Sequence, residues 1–376
     1  MRYVSFLIKP ASSACNMRCR YCFYEDEAVN RAVKNMGMMT ADTAEALLRE
    51  GYALSEPGGM VSFLFQGGEP TLAGLDFFRD FTARAKRLRP AGVEISFAIQ
   101  TNGMVLDGEW ADFLREEDYL VGLSMDGNKE LHNLYRKDAQ GKDTWNRVRR
   151  SLELLLRRGV RTNVLCVVTA QAAGRPDAVY GGLKKLGVRY MQFIPCLDPL
   201  GEARGGRRWS LTPEAYGRFL CRLFDLWYAD WERGDYHSVR LFEDHVNLML
   251  GGNSGTCATC GRCGSYFLVE GDGSVYPCDF FAVDDWRMGA IGAEPLAQMA
   301  EGETARRFLA WGIEKPAECG SCPWRALCNG GCKNDWTSSA QEPHNYYCAA
   351  FRQFFAHAQT RLITVARAES RARMGV

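Results

Sequence analysis

Histidine is scarce in this chain, 5 among 376 residues, and none stands near the amino-terminal cysteines, so a mixed cysteine–histidine zinc site is excluded there. Charge of one sign is lacking too. The 46 Lys+Arg and 45 Asp+Glu leave a formal +1 and are interspersed, so nothing steers the chain toward nucleic acid or a membrane surface. No run of about twenty apolar residues exists, which excludes a spanning helix. The apolar segment 3–8 is too short for the core of a signal peptide. No internal repeat and no low-complexity tract is found. The expectation is a cytoplasmic, globular protein, long enough for one large domain and a smaller one.

Cysteine is what the chain has in excess, 15 residues. In a reduced compartment such a number points to metal rather than disulfides. Three stand near the start, nine lie between Cys257 and Cys348, and Cys166, Cys196 and Cys221 are scattered among apolar residues, where they read as ordinary buried thiols.

The first three form Cys15-x3-Cys19-x2-Cys22, on a loop that follows the apolar segment 3–8 and the turn Lys9-Pro10-Ala11-Ser12-Ser13. Three soft thiolates this close suit one cubane iron–sulfur cluster, and the missing fourth cysteine leaves one iron open for a small molecule. The spacing, with Tyr21 just before the last cysteine, resembles the signature of the radical S-adenosylmethionine (SAM) enzymes. In that family the open iron chelates SAM, and an electron from the cluster cleaves it to a 5′-deoxyadenosyl radical.

From residue 3 to about 195 strand-like and helix-like stretches alternate. The strands are read at 4–8, 61–65, 94–100, 120–124, 163–168 and 190–194, and the helices at 41–53, 75–87, 108–116, 144–158 and 177–186. Six such units predict an α/β fold of parallel strands with crossover helices, a partial (β/α)6 barrel rather than a closed one of eight. Ligands gather at the carboxyl ends of such strands. Gln66-Gly67-Gly68-Glu69-Pro70-Thr71, Thr101-Asn102-Gly103 and Ser124-Met125-Asp126-Gly127 all fall at those ends. The family resemblance implies that Gly68 lies at the SAM amino group, that Ser124 and Arg136 meet its ribose and carboxylate, and that Leu197 walls its adenine. Residues 198–210 read as a polar, glycine-rich linker. Thr212-Pro213 then opens a helix to about residue 233, whose aromatics (Phe219, Phe224, Trp227, Tyr228, Trp231) read as core. A further helix covers roughly 241–250.

The later cysteines run Cys257-x2-Cys260-x2-Cys263-x14-Cys278, then Cys319-x2-Cys322-x5-Cys328-x3-Cys332, then Cys348. A hairpin, strands 266–269 and 274–276 around Gly271-Asp272-Gly273, brings Cys263 and Cys278 together. Two four-cysteine clusters use eight of the nine. This pattern resembles the SPASM extension of peptide-modifying radical SAM enzymes. The resemblance implies that auxiliary cluster I takes Cys257, Cys263, Cys278 and Cys332, and cluster II Cys319, Cys322, Cys328 and Cys348. Cys260 in place of Cys257 stays open. Fully ligated clusters carry electrons rather than bind SAM. The expected division is a radical SAM barrel with linker helix over 1–235, a small SPASM domain with hairpin and helices over 236–348, and a carboxyl-terminal helix over 349–376.

Leu7-Ile8-Lys9-Pro10-Ala11-Ser12-Ser13, residues 65–74, residues 121–127, Asp272-Gly273-Ser274-Val275-Tyr276-Pro277-Cys278-Asp279-Phe280 and Asn345-Tyr346-Tyr347-Cys348 resemble the anaerobic sulfatase-maturating enzymes over nearly the whole chain. That resemblance implies oxidation of a sulfatase cysteine or serine to Cα-formylglycine. Three [4Fe–4S] clusters and SAM are the implied cofactors. The radical takes a Cβ hydrogen, an electron goes to cluster I, and Asp279, beside ligand Cys278, takes the proton. Tyr24 and Gln66 are implied to line the peptide pocket. The implied partners are an unfolded or nascent sulfatase with a Cys/Ser-x-Pro/Ala-x-Arg segment and a flavodoxin- or ferredoxin-like reductant; a monomer is expected. Two other readings compete. A maturase of a ribosomal peptide shares the cysteines, but often adds an amino-terminal recognition domain, for which a cluster loop at residue 15 leaves no room. A ferredoxin-like carrier needs no α/β domain of this size.

Overall fold

The computed structural model describes residues 1–263, 266–311, 313, 315–337 and 344–374. The last two residues of the helix expected over 349–376, and residues 264–265, 312, 314 and 338–343 of the expected SPASM domain, lie outside the described residues.

Strands β1 (Tyr3–Ile8), β2 (Met60–Phe65), β3 (Glu94–Thr101), β4 (Leu120–Ser124), β5 (Thr162–Val168) and β6 (Tyr190–Pro195) lie side by side in chain order, each parallel to the next. Parallel neighbours need crossovers. Helices α1 (Phe23–Val29) and α2 (Ala41–Leu54) fill the first, α3 (Leu75–Leu88) the second and α4 (Gly108–Glu116) the third. The fourth holds α5 (Lys129–Tyr135) and α6 (Trp145–Arg157), the fifth α7 (Ala170–Ala173) and α8 (Pro176–Lys185). This is the expected six-strand partial barrel.

Local sequence sets the helix starts. Thr40, Asp107 and Thr212 each accept a hydrogen bond from the backbone N–H three residues on, satisfying an otherwise orphaned donor. α1 and α5 were not foreseen. The Cys22 thiol itself caps α1, accepting from Glu25 N, and Asn128 caps α5.

Beyond the barrel come α9 (Pro213–Glu232), β7 (Ser238–Val239) and α10 (Arg240–Met249). The hairpin β8 (Tyr266–Val269) and β9 (Ser274–Tyr276) follows, then β10 (Gly289–Ala290), α11 (Leu296–Glu301), α12 (Glu303–Ala310), α13 (Arg325–Cys328) and α14 (Cys348–Met374). The hairpin joins the barrel sheet: β8 pairs in parallel with β1, in register Ser5↔Tyr266 to Ile8↔Val269. The barrel's edge strand is thereby covered, and one sheet of ten strands results.

Two apolar cores flank the sheet. One packs Phe6, Phe63, Phe65, Phe78, Phe81 and Phe97 beneath the first helices, with Phe65 edge-on to Phe78 at 4.9 Å. The other joins β5 and β6 to α9, α10 and α14 through Phe193, Phe219, Phe224, Trp227, Phe242 and Phe354. Each such side chain contributes about 1.5–3 kcal/mol on burial. Phe219, Phe224 and Trp227 are buried as expected, whereas Tyr228 and Trp231 are half-buried. Cys166 and Cys196 are buried, but Cys221 is a correction: it is only half-buried, its thiol toward the Gln353 carbonyl, because it sits at the α9–α14 seam.

Candidate active site

The motifs gather at the carboxyl ends of β1 to β6, and hydrogen bonds stitch the ends together. The loop after β1 carries Cys15, Cys19 and Cys22. The turn after β2 docks on it, Gly68 N donating to Ser12 O (2.9 Å) and Glu69 N to Ala14 O (2.8 Å). Gly68 fits because it has no side chain: a Cβ there would stand 2.2 Å from the Ala14 carbonyl oxygen. The buried Glu69 carboxylate accepts from Thr71 N and Oγ1, Thr101 Oγ1 and Asn102 N, tying β2 to β3. Asn102 in turn donates to Asn16 Oδ1 at 2.8 Å.

Burial pushes the Cys15 thiol up to about 12; the Met17 N–H draws it back, and Glu69, Cys19 and Cys22 add to the rise. Burial raises Cys19 to about 11 against the pull of Arg136. The three sulfurs thus lie near one another, each cysteine half-buried.

Arg136 is 6 % exposed and donates to Tyr21 OH at 3.0 Å. Tyr21 OH donates to Asp126 Oδ2, and Asp126 Oδ1 accepts from Val167 N. Burial raises the Asp126 carboxyl, with Arg136 opposing. Arg136 Nε is buried without a partner, a donor aimed at nothing in the chain. Ser124 Oγ accepts from Gln100 Nε2 at 2.9 Å, and Leu197 stands half-buried just past β6.

Strand register assembles a second feature. Ile8 pairs with Phe65 and with Val269, so the next residues on β1, β2 and β8 stand abreast: Lys9, Gln66 and Glu270. Lys9 Nζ forms an ion pair with Asp279 Oδ1 at 2.7 Å, both side chains buried, and Gln66 Nε2 donates to Asp279 Oδ2 at 2.9 Å. Tyr266 OH stands 2.7 Å from Asp279 N and donates to Cys278 Sγ at 3.3 Å. Lys9 Nζ also lies 3.2 Å from the centre of the Tyr24 ring. Tyr24 is buried and donates to Glu270 Oε1 (2.6 Å), which also pairs with Arg31 (2.7 Å). Burial raises Glu27 well above the carboxylate range, offset by Lys9. Lys9, Glu27, Arg31 and Glu270 escaped the sequence reading. For Lys9 and Glu270 the cue was a charge at the end of an apolar strand.

The later cysteines fall into two sets. Burial pushes Cys332 well up, with Asp335, Cys278 and Cys257 adding. Burial raises Cys278 to about 12, with Cys257 among its neighbours. One cavity is lined by Cys257, Cys263 and Cys332 together with Lys315 and Lys333. Cys260 does not line it; its thiol donates to Thr256 O at 3.2 Å. A second cavity is lined by Cys319, Cys322, Cys328 and Cys348. Burial raises Cys328 to about 11 and Cys348 to about 12, and Cys319 adds to both. Burial also pushes the Lys333 ammonium down, with Cys263 opposing.

Two family models match the chain: the radical SAM superfamily over residues 10–170, and an iron–sulfur cluster-binding domain, SPASM, over 257–323. A cysteine-type anaerobic sulfatase-maturating enzyme of Clostridium perfringens is 43% identical over 365 residues, covering 96% of this chain and 98% of that one. A serine-type enzyme of Klebsiella aerogenes is 33% identical over 356 residues, 93% and 84% of the two chains. The solved structure of native anSMEcpe with bound AdoMet and Cp18Cys peptide superposes with a TM-score of 0.92 at 41% identity, covering 97% and 99%. The chain belongs to the radical SAM enzymes and, among them, to the anaerobic sulfatase-maturating enzymes.

Members of this family use [4Fe–4S] clusters and SAM, and the residues present fit both. Soft sulfur donors are grouped in three sets, the first short of a fourth cysteine. The orphaned Arg136 Nε matches a carboxylate-bearing ligand.

Proposed function

We propose that this enzyme oxidises a cysteine, or a serine, in an extended sulfatase segment to Cα-formylglycine. The observation that carries the reading is the Lys9–Asp279–Gln66 constellation: it joins the residue after Cys278 to the strand ends that bear the three-cysteine loop and the glycine turn. When bound, a cluster on Cys15, Cys19 and Cys22 with SAM supplies a radical that removes one Cβ hydrogen, and auxiliary clusters take up the electron.

Asp279 then takes the proton from the substrate radical. Lys9 supplies the counter-charge to its carboxylate and Gln66 fixes its orientation, so neither oxygen must reorganise during transfer. For a cysteine the products are a thioaldehyde, which water hydrolyses to the aldehyde and hydrogen sulfide. Arg136, anchored through Tyr21 to Asp126, holds the SAM carboxylate. Ser124 meets the ribose, Leu197 covers the adenine, and Gly68 lets backbone reach the amino group. Tyr24 and Gln66 border the peptide beneath Lys9. Cys257, Cys263, Cys278 and Cys332 hold cluster I; Cys319, Cys322, Cys328 and Cys348 hold cluster II. The partner is an unfolded or nascent sulfatase, and a flavodoxin or ferredoxin is the reductant. Cysteine is the preferred target, a reading supported by the 43% identity to an enzyme named cysteine-type.

The test is mass spectrometry of paired Cys-x-Pro-x-Arg and Ser-x-Pro-x-Arg peptides after anaerobic turnover. Asp279→Asn is expected to lower peptide oxidation by about 10²–10⁴-fold while SAM cleavage persists. Turnover at the parental rate sinks the base assignment.

A further inference from the structure

Lys333 follows Cys332, yet it is 3 % exposed. Its ammonium donates to the Trp311 carbonyl at 3.1 Å and to the Phe308 carbonyl, and Lys333 lines one cavity with Cys257, Cys263 and Cys332. Aromatic faces close the remaining sides: Nζ lies 3.1 Å from the ring centre of Phe308, 4.8 Å from that of Trp311 and 5.8 Å from that of Phe281. The rings brace one another, Phe281 edge-on to Trp311 at 5.2 Å and Trp286 stacked on Trp311 at 5.7 Å. Two carbonyl acceptors and three ring faces fit an ammonium.

The cysteines that share its cavity are Cys257, Cys263 and Cys332, all in the first auxiliary set. Lys315 is different. It neighbours Cys263 but also Cys319 and Cys328 of the second set, so it acts on both. The short 3-10 turn Asp279–Phe281 links the cage to the base, since Phe281 is a cage wall and Asp279 opens the turn.

We propose that Lys333 is a positioning residue whose caged charge raises the reduction potential of auxiliary cluster I and so makes it the electron acceptor. A cation beside a cluster stabilises its reduced, more negative state, and net charge with hydrogen bonds to sulfur sets the potential. The electron balance is simple: the substrate carbon radical gives one electron to cluster I and its proton to Asp279, leaving the thioaldehyde. The inference rests on the ligand set assigned under the proposed function.

Potentiometric titration of the anaerobically loaded enzyme, followed by electron paramagnetic resonance, tests it. At a fixed potential Lys333→Met is expected to lower the ratio of reduced to oxidised cluster I about tenfold, a downward shift of about 59 mV for a one-electron couple. Cluster II keeps its midpoint, and Lys333→Arg keeps that of cluster I. An unchanged cluster I midpoint in Lys333→Met overturns the proposal, as does an equal shift in Lys333→Arg. If Lys333→Met does not retain the cluster, Trp311→Leu decides. Opening the cage to water lowers the same midpoint by less, and no change overturns the proposal. Absence of cluster I from the parent enzyme, seen in its iron content, would instead overturn the ligand assignment.

Discussion

Replacing Gly68 by alanine adds a single methyl group at the point where the glycine turn meets the cysteine loop. That methyl would stand 2.2 Å from the Ala14 carbonyl oxygen and 2.8 Å from the Ser13 and Ala14 carbonyl carbons. Ordinary carbon contacts sit about 3.5–4.0 Å apart, so the loop must retreat by about an ångström. Both neighbours are backbone, so no side chain can swing away. The retreat strains two hydrogen bonds, Gly68 N to Ser12 O and Glu69 N to Ala14 O, each contributing about 0.5–1.5 kcal/mol. Overpacking adds about 1–3 kcal/mol. The total is about 2–6 kcal/mol, borne by the loop that carries Cys15. Since each 1.4 kcal/mol is tenfold in affinity, SAM binding is expected to fall at least about tenfold. Anaerobic iron content and equilibrium dialysis against SAM measure this. Gly181→Ala is the matched control: nothing lies within 4 Å of its added Cβ in α8. It is expected to leave binding unchanged and add about 0.5–1 kcal/mol of stability. Parental iron loading and SAM affinity in Gly68→Ala would refute the reasoning.

Two further outcomes are expected. Cys257→Ala should cost the enzyme one cluster's share of its iron, whereas Cys260→Ala should not, because only Cys257 lines the cavity with Cys263 and Cys332; iron analysis after reconstitution separates them. His245 is buried against Phe354 and Phe355, both ring nitrogens without partners, and burial lowers it from 6.5 to about 4. The folded state binds the proton less well than the unfolded, so stability present above pH 6.5 is lost as pH falls toward 4, by about 3 kcal/mol in full. Urea unfolding of His245→Leu should lack that pH-dependent component.

Much of this was legible in the residues. Alternation of apolar and polar stretches gave the six parallel strands and the helices of 41–54, 75–88 and 108–116 nearly to the residue; the first and third of these open on side-chain caps and the second on Gly74. The short helices α1 and α5 were not. Their seven residues are too few for a periodic pattern, and the cap of α1 is a cysteine that reads first as a ligand. The grouping of the later cysteines was implied by the family resemblance; spacing alone offered the hairpin that joins Cys263 to Cys278. The buried charges were not legible, because Lys9 is far in sequence from Glu270 and Asp279. Only the parallel register of β8 on β1 sets them together. Asp126 was quoted merely as part of a turn, and nothing local announces that Tyr21 and Arg136 close on it. Lys333 hid for the same reason: its aromatic cage comes from residues 281, 308 and 311.

The most direct test of the account follows one hydrogen atom. The loaded enzyme is given SAM, a reductant and a Cys-x-Pro-x-Arg peptide deuterated at the cysteine Cβ, and both products are read by mass spectrometry. The account predicts singly deuterated 5′-deoxyadenosine together with a peptide whose CD2SH has become CDO. Unlabelled 5′-deoxyadenosine beside an unchanged peptide would contradict it.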